Sequence, residues 1–210
     1  MSSTPGAITY APEGMVDREM YNATHGKVGM WVYLVTDAMT FAGLLIGYAY
    51  LRALGNWPSP AEHLGIALSG IGTFILICSS VSMVLAIRGA SMRNRKALIG
   101  WLSATIAGGA SFLGIQAYEY THLVHEGMGF AHFVSEHGDS LNALFGSTFF
   151  AITGFHGLHV LTGVVYLTVI LLKSLNGRYD GDPSHVEIAG LFWHFVDLIW
   201  ILVFTFVYLL

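Results

Sequence analysis

Five long apolar segments determine what this 210-residue chain can fold into. They run over about 28–51, 64–87, 98–122, 144–172 and 188–210. An α-helix rises roughly 1.5 Å per residue, so each segment is long enough to cross roughly 30 Å of hydrocarbon. The sequence therefore predicts an all-α integral membrane bundle of five transmembrane helices.

The composition supports this prediction, because 54% of the residues are apolar and only 10% are charged. A soluble domain is about a quarter charged. The net charge of −4 gives no basic patch for nucleic acid, and a single cysteine excludes a disulfide framework. We expect residues 1–27 to form an amino-terminal segment without a secretory signal peptide. Residues 28–210 are then a single transmembrane domain.

Basic residues predict the orientation, because loops on the cytoplasmic side are rich in Lys and Arg. With five spans, the amino terminus and the second and fourth loops share one side of the membrane. The other side holds only Arg52. We therefore expect a cytoplasmic amino terminus and a periplasmic carboxyl terminus. The basic residues on the cytoplasmic side are Arg18, Lys27, Arg88, Arg93, Arg95, Lys96, Lys173 and Arg178.

Small residues are concentrated on the first and third predicted helices. Gly43 and Gly47 form a G-x-x-x-G on the first, and residues 107–110 with Gly114 line the third. Such residues let helices approach closely. We expect them to pack within the bundle rather than against another subunit.

Ionisable side chains within the spans are the candidate functional residues, since such groups are costly at membrane depth. His156 and His159 are three apart on the fourth predicted helix, as are His194 and Asp197 on the fifth, so each pair shares a helix face. We expect Asp37 to be substantially neutral at pH 7 and hydrogen-bonded within the bundle, because desolvation disfavours the charged form unless a histidine or a lipid ammonium group lies within about 4–6 Å. The complete set is Asp37, Glu119, His156, His159, His194 and Asp197.

Three explanations compete for this set: metal or haem ligation, a proton relay across the membrane, and a polar network that ties helices together. The network could also contact lipid head groups or a partner subunit. We favour the network, since ligation normally needs further partners and no cysteine is placed to help. Asp197 could pair with His194, or Asp37 with a histidine opposite. No hydrolase, ATPase or metalloprotease motif is present, so no catalytic or metal residue is predicted.

Three motifs resemble subunit III of the haem–copper respiratory oxidases. Residues 146–160 contain G-S-T-F-F followed by T-G-F-H-G-L-H-V, residues 193–200 read W-H-F-V-D-L-I-W, and residues 116–120 read Q-A-Y-E-Y. Asp37 lies where the family carries an acidic residue, commonly glutamate. The resemblance covers about residues 25–210. The two additional amino-terminal helices of the seven-helix members are absent, so the chain resembles the five-helix bacterial form.

The resemblance implies a non-catalytic subunit of a bacterial inner-membrane oxidase that pumps protons and reduces dioxygen to water. No cofactor is expected in this chain; haem and copper belong to partner subunits I and II. Subunit I is the expected main contact, alongside subunit II and other small subunits, and a larger respiratory supercomplex is a further candidate partner. In this family, phospholipid occupies a cleft beside the acidic residue. By this resemblance, we expect the subunit to support oxygen access and proton uptake.

Two alternatives remain open at the sequence level. The chain could be subunit III of a quinol oxidase, because nothing in it contacts the electron donor. The exact residues of the G-S-T-F-F and G-F-H-G-L-H motifs favour cytochrome c as the donor. It could also be an autonomous haem-binding or proton-carrying membrane protein. A visible spectrum of the isolated chain separates the latter from an oxidase subunit.

The segment 123–143 contains acidic residues and histidines but no Lys or Arg, so we predict that it lies on the periplasmic side. A cysteine introduced by Ser135→Cys should react with a membrane-impermeant thiol reagent in intact cells. Reaction only after lysis would reverse the predicted orientation.

Overall fold

The computed structural model describes the backbone of residues 13–54, 57, 65–125, 140–177 and 183–210, and all their side chains except those of residues 13–25 and 140–143. This part of the chain is helical, with five helices long and apolar enough to span a membrane. The predicted fold class is confirmed. The helices are α1 (Glu13–Ala53), α2 (Ile66–Ser91), α3 (Arg95–His125), α4 (Ser140–Leu175) and α5 (Ser184–Val203), and a π-helical segment (Phe204–Leu209) extends α5.

The predicted boundaries are close to those of the structure, with one difference at the start. Helix α1 begins at Glu13, so residues 13–27 of the predicted amino-terminal segment are already helical and run directly into the first span. Within the predicted loop 123–143, α3 continues to His125 and α4 begins at Ser140. The rest of that loop, including Ser135, lies outside the described residues.

Helix α5 occupies the centre of the bundle and packs against α1, α2 and α4. Its Trp193 is completely buried between α3 and α4. A Cβ atom on Gly109 of α3 would lie 2.5 Å from this indole, and one on Gly163 of α4 would lie 2.9 Å from it. The indole Nε1 donates a hydrogen bond to Ser79 Oγ of α2 at 3.1 Å. One side chain therefore joins four helices.

Helices α2 and α3 approach each other closely through small residues. A Cβ on Gly108 would lie 2.7 Å from Ser79 Cβ, and one on Gly89 would lie 2.8 Å from the backbone nitrogen of Leu98. The expectation that small residues pack within the bundle is met at Gly108 and Gly109. Close contact of this kind substitutes for hydrophobic burial, which gives no driving force between helices in lipid.

The same expectation is wrong for Gly114 of α3, whose Cβ would meet nothing within 4 Å, and for the G-x-x-x-G of α1. Nothing lies within 4 Å of a Cβ placed on Gly43 or Gly47, and both residues are exposed. Helix α1 contacts α4 and α5 along one face only, through residues such as Leu34, Phe41 and Tyr48. The G-x-x-x-G is on the opposite side because its positions fall outside that buried stripe.

Polar contacts join the ends of the membrane spans that carry the basic residues. Lys27 Nζ of α1 lies 2.8 Å from Glu187 Oε2 of α5. Arg95 Nε at the start of α3 donates to the Ser174 carbonyl at 3.0 Å, and its guanidinium also donates to the Leu175 carbonyl. The last carbonyl groups of a helix have no partner within it, so Arg95 caps the carboxyl end of α4.

Gly109→Ala should destabilise the bundle, because the new methyl group would overlap Trp193 and Val164. Overpacking of this kind costs roughly 1–3 kcal/mol. The midpoint of thermal unfolding in detergent should therefore fall. Gly114→Ala is the matched control on the same helix, since its Cβ would meet nothing within 4 Å. Equal midpoints for the two variants would contradict the packing described for Trp193.

Candidate functional site

The six predicted ionisable residues are all present in the described spans, but they do not form one cluster. Asp37 and His159 contact each other, while His156 lies in an aromatic enclosure beside them. Glu119 belongs to a separate network, and His194 and Asp197 lie where α5 packs on α2. The polar groups are therefore distributed over several helix contacts.

Asp37 and His159 connect α1 to α4. Asp37 Oδ1 lies 3.2 Å from His159 Nε2, and the Asp37 side chain is 8% exposed. The other ring nitrogen, Nδ1, is 2.8 Å from the Phe155 carbonyl oxygen. The imidazole ring also packs against Phe41 of α1, with ring centroids 5.4 Å apart. Of the pairings that the sequence left open, the structure selects Asp37 with the histidine opposite.

The number of protons on the Asp37–His159 pair follows from the carbonyl oxygen that Nδ1 contacts. A carbonyl oxygen can only accept, so Nδ1 of His159 must carry a hydrogen. One further proton then lies between Nε2 and Asp37 Oδ1, either as a carboxylic acid beside a neutral imidazole or as a carboxylate beside an imidazolium. The pair is neutral overall in both forms. His159 is therefore the nearby histidine for which the expectation of a neutral Asp37 made an exception.

His156 is completely buried, and its ring is enclosed by aromatic side chains from three other helices. It stacks on Trp200 of α5 with centroids 4.8 Å apart, and it meets Phe112 of α3 and Phe41 of α1 edge to face. Neither ring nitrogen has a hydrogen-bond partner within the described residues. His156 and His159 are three apart on α4 and both contact Phe41, but only His159 also faces a carboxyl group.

Glu119 joins three parts of the chain. Its Oε1 accepts a hydrogen bond from Ser69 Oγ of α2 at 2.8 Å, and its Oε2 accepts one from the Tyr208 hydroxyl at 3.0 Å. Tyr208 is buried and lies in the π-helical segment. The side chain of Glu119 thus has a donor for each oxygen. A buried carboxyl group satisfied in this way stabilises the contact between α2, α3 and the end of the chain.

A neutral network lies one turn away on α3. Gln116 Nε2 donates to the Thr153 carbonyl of α4 at 2.8 Å, and the Tyr120 hydroxyl lies 2.6 Å from Thr153 Oγ1. A Cβ on Gly157 would lie 2.8 Å from the Gln116 amide oxygen, so a side chain there would displace it. The Q-A-Y-E-Y motif therefore connects α3 to α2 through Glu119 and to α4 through Gln116 and Tyr120.

His194 and Asp197 share a face of α5 but do not bond to each other. His194 Nδ1 lies 2.6 Å from Ser80 Oγ of α2. Asp197 is buried, and neither of its carboxyl oxygens has a hydrogen-bond partner within the described residues. The possible pairing of Asp197 with His194 is not observed.

Hydroxyl groups that the sequence analysis did not single out complete these contacts. They are Ser69, Thr73, Ser79, Ser80 and Tyr208. Serine and threonine are common in membrane helices and bond to their own backbone, as Thr36 and Thr162 do here. No sequence signal therefore separated the hydroxyls that bridge helices from those that do not.

Across the described residues, no three His, Cys, Asp or Glu side chains converge as a metal site would require. The described residues line two shallow grooves that open on the surface, among others. One, of about 330 Å³, lies between α2 and α3 and includes Cys78 and Trp101. The other, of about 290 Å³, lies beside Arg52 and Tyr48. The arrangement can hold helices together and exchange protons locally at the Asp37–His159 pair.

His159→Gln should increase the labelling of Asp37 by a hydrophobic carbodiimide. Carbodiimides react with protonated carboxyl groups, and glutamine cannot take the shared proton to form the ion pair. Labelling is measured by mass spectrometry of the intact complex, with Asp37→Asn to identify the site. Exposed Leu158 provides the matched control, Leu158→Ala, which should label as the unaltered protein does. Unchanged labelling in His159→Gln would contradict proton sharing within the pair.

Comparison with known proteins extends over nearly the whole chain. Residues 13–210 match the family described as cytochrome c oxidase subunit III. The cytochrome c oxidase subunit 3 of Corynebacterium diphtheriae is 36% identical over 187 residues, covering 87% of this chain and 86% of that protein. The corresponding protein of Synechocystis sp. is 35% identical over 211 residues, covering 99% and 82%.

A relative from the quinol-oxidising branch is similar to the same degree. The cytochrome bo(3) ubiquinol oxidase subunit 3 of Pseudomonas putida is 33% identical over 185 residues, covering 87% of this chain and 84% of that protein. Together with the five apolar helices, these matches identify a multi-pass protein of the inner membrane. The chain belongs to the subunit III family of the haem–copper oxidases.

Proposed function

We propose that this chain is the non-catalytic subunit III of a proton-pumping cytochrome c oxidase, in which subunits I and II hold the haem and copper that reduce dioxygen to water. The observation that carries the proposal is the family match over residues 13–210, which includes all five spans. The distribution of basic residues supports a cytoplasmic amino terminus as part of this proposal.

The first role proposed for the chain is to stabilise the complex. Its buried polar groups support this role, since they connect helices in pairs: Asp37 with His159, and Glu119 with Ser69 and Tyr208. The polar atoms that make these contacts are already paired within the chain, so they are not available as ligands for a cofactor. Subunit I is the proposed main contact, and subunit II and smaller subunits are further partners.

The second proposed role is to hold phospholipid next to α1. The face of α1 that carries Gly43 and Gly47 is open, and its large side chains, among them Met39 and Ile46, are about 70% exposed. Such a surface in a bilayer is covered by acyl chains or by a partner. Dioxygen partitions into hydrocarbon, so lipid held there would also support oxygen access. Proton uptake by subunit I would be supported indirectly, through the integrity of the complex.

The choice of cytochrome c as the electron donor rests on the motif wording alone, and the quinol oxidase remains the second candidate. A specific observation keeps the quinol oxidase in consideration. The cytochrome c oxidase relative is 36% identical to this chain and the ubiquinol oxidase relative is 33% identical, over nearly equal lengths. Since this subunit does not contact the donor, its structure is compatible with both oxidases.

The experiment that tests the proposed function is purification of the tagged chain from its own membranes in mild detergent. We expect haem- and copper-containing subunits to co-purify and the complex to oxidise reduced cytochrome c. Oxidation of a quinol in its place would identify the second candidate. A haem absorption band that stays with the chain after the other subunits are removed would contradict a non-catalytic role without cofactors.

Asp37→Asn should leave the initial rate of oxygen reduction near that of the unaltered complex, because the side chain keeps its shape and lies outside the proposed catalytic subunit. Lipid content or the number of turnovers before inactivation should decrease, because the contact of Asp37 with His159 fixes α1 against α4, and the opposite face of α1 is the proposed lipid surface. Oxygen consumption followed over many turnovers, with phospholipid analysis, provides both readouts. Near-total loss of the initial rate in a fully assembled variant would make Asp37 an obligatory proton carrier instead.

A further inference from the structure

His194 presents an unpaired ring nitrogen on the outer surface of the bundle. Its Nδ1 lies 2.6 Å from Ser80 Oγ, while its Nε2 has no hydrogen-bond partner within the described residues. The side chain is partly exposed, so Nε2 is not enclosed by the bundle as the ring nitrogens of His156 are. This polar group therefore faces whatever covers α2 and α5 from outside the chain.

The contact with Ser80 determines which hydrogen-bonding group of His194 faces outward. A serine hydroxyl has one hydrogen to donate, and Nδ1 is the only partner of the Ser80 hydroxyl within the described residues. Ser80 is therefore the donor, and Nδ1 is the acceptor. A neutral imidazole that accepts at one nitrogen carries its hydrogen on the other. The outward-facing Nε2–H is thus a donor that lacks an acceptor.

This donor lies too deep for a lipid head group to satisfy it. The span Ser184–Leu209 has 26 residues, so it is roughly 39 Å long and exceeds the roughly 30 Å of hydrocarbon by a few ångströms at each end. His194 is ten residues from Ser184, which places it roughly 10 Å inside the hydrocarbon. Acyl chains offer no acceptor at that depth, and a polar group left unpaired there is unfavourable.

Other exposed polar side chains of the spans satisfy themselves within their own helix. Thr36 and Thr40 of α1 donate to backbone carbonyls of the preceding turn at 2.8 and 3.1 Å, and Thr162 of α4 does so at 2.8 Å. The outward-facing donor of His194 makes no such contact, since the ring is held toward Ser80 through Nδ1. Its acceptor must therefore come from another molecule.

We propose that the surface of α2 and α5 around His194 binds a transmembrane helix of a partner subunit, which presents an acceptor oxygen to Nε2. Large aliphatic side chains surround the donor and provide apolar contact: Ile77, Val84 and Leu198 are 43–56% exposed and lie one turn from Ser80 or His194. The inference rests on the proposed function, which supplies the partner subunit, and it adds the surface and the chemistry of recognition.

A second copy of this chain does not meet the same requirement. In a twofold dimer the same patch lies on both sides of the interface. The Nε2–H of each copy would then face another donor and the aliphatic residues around it. A partner of different sequence is needed, and its acceptor oxygen would complement the donor of His194.

The first test measures how fast the chain dissociates from the intact complex in mild detergent. His194→Leu removes the donor but keeps an apolar side chain, and it should speed dissociation about threefold or more, because hydrogen bonds between membrane helices contribute about that factor. His194→Gln can still donate and should dissociate more slowly than His194→Leu. Dissociation of His194→Leu at the unaltered rate would overturn the proposal.

Two control variants separate the partner contact from effects within the chain. Thr162→Val removes an exposed hydroxyl that bonds to its own helix, and it should dissociate at the unaltered rate. Ser80→Ala removes the contact with Nδ1 but leaves the imidazole on the surface, so it should have a smaller effect than His194→Leu. Equal effects of Ser80→Ala and His194→Leu would overturn the proposal, because the contact within the chain would then account for both.

The second test identifies what covers the surface. The photoreactive residue p-benzoylphenylalanine replaces the exposed Leu198, and native membranes are irradiated before purification. We expect a cross-link to a membrane-spanning subunit of the co-purified oxidase, located by mass spectrometry of the joined peptides. Cross-links to lipid alone or to a second copy of this chain would overturn the proposal. Failure of haem- and copper-containing subunits to co-purify would instead contradict the proposed function, so the two failures are distinguishable.

Discussion

The absence of water within the bilayer is the constraint on which this structure depends. Backbone groups are satisfied by the helices themselves, and most buried polar side chains of the described residues find a partner in another helix or in their own backbone. The bundle meets this requirement with hydroxyl and amide groups: Ser69 and Tyr208 satisfy Glu119, and Thr153 satisfies Gln116. These contacts fix the positions of α2, α3 and α4 more specifically than apolar packing alone, which is non-directional.

Much of the fold could be predicted from sequence, because span length and hydropathy follow directly from the thickness of a bilayer. All five predicted spans correspond to helices. Which side of each helix packs against its neighbours could not be predicted. Gly43 and Gly47 have the spacing of a packing motif but lie on the open side of α1, whereas Gly109 faces Trp193. Spacing determines which residues share a face, and only the tertiary arrangement determines what that face contacts.

The candidate site shows the same division. The six ionisable residues could be identified because charge in an apolar segment is conspicuous, but their partners could not, because Ser69, Ser80 and Tyr208 resemble many other hydroxyl residues in the chain. His156 and His159 illustrate the limit. Their spacing suggests a joint site, yet one ring is enclosed by Phe112 and Trp200 and the other faces Asp37.

The contacts of Trp193 have a consequence for how the family can change. The indole fills space that exists only because residues 109 and 163 lack side chains, and its N–H reaches Ser79. Replacing the indole leaves a void that neither glycine can fill, while enlarging a glycine first forces the indole out. Each single step is unfavourable, although a combined exchange of large and small residues would preserve the volume. These positions are therefore coupled by epistasis, and we expect them to be inherited as a unit along a lineage.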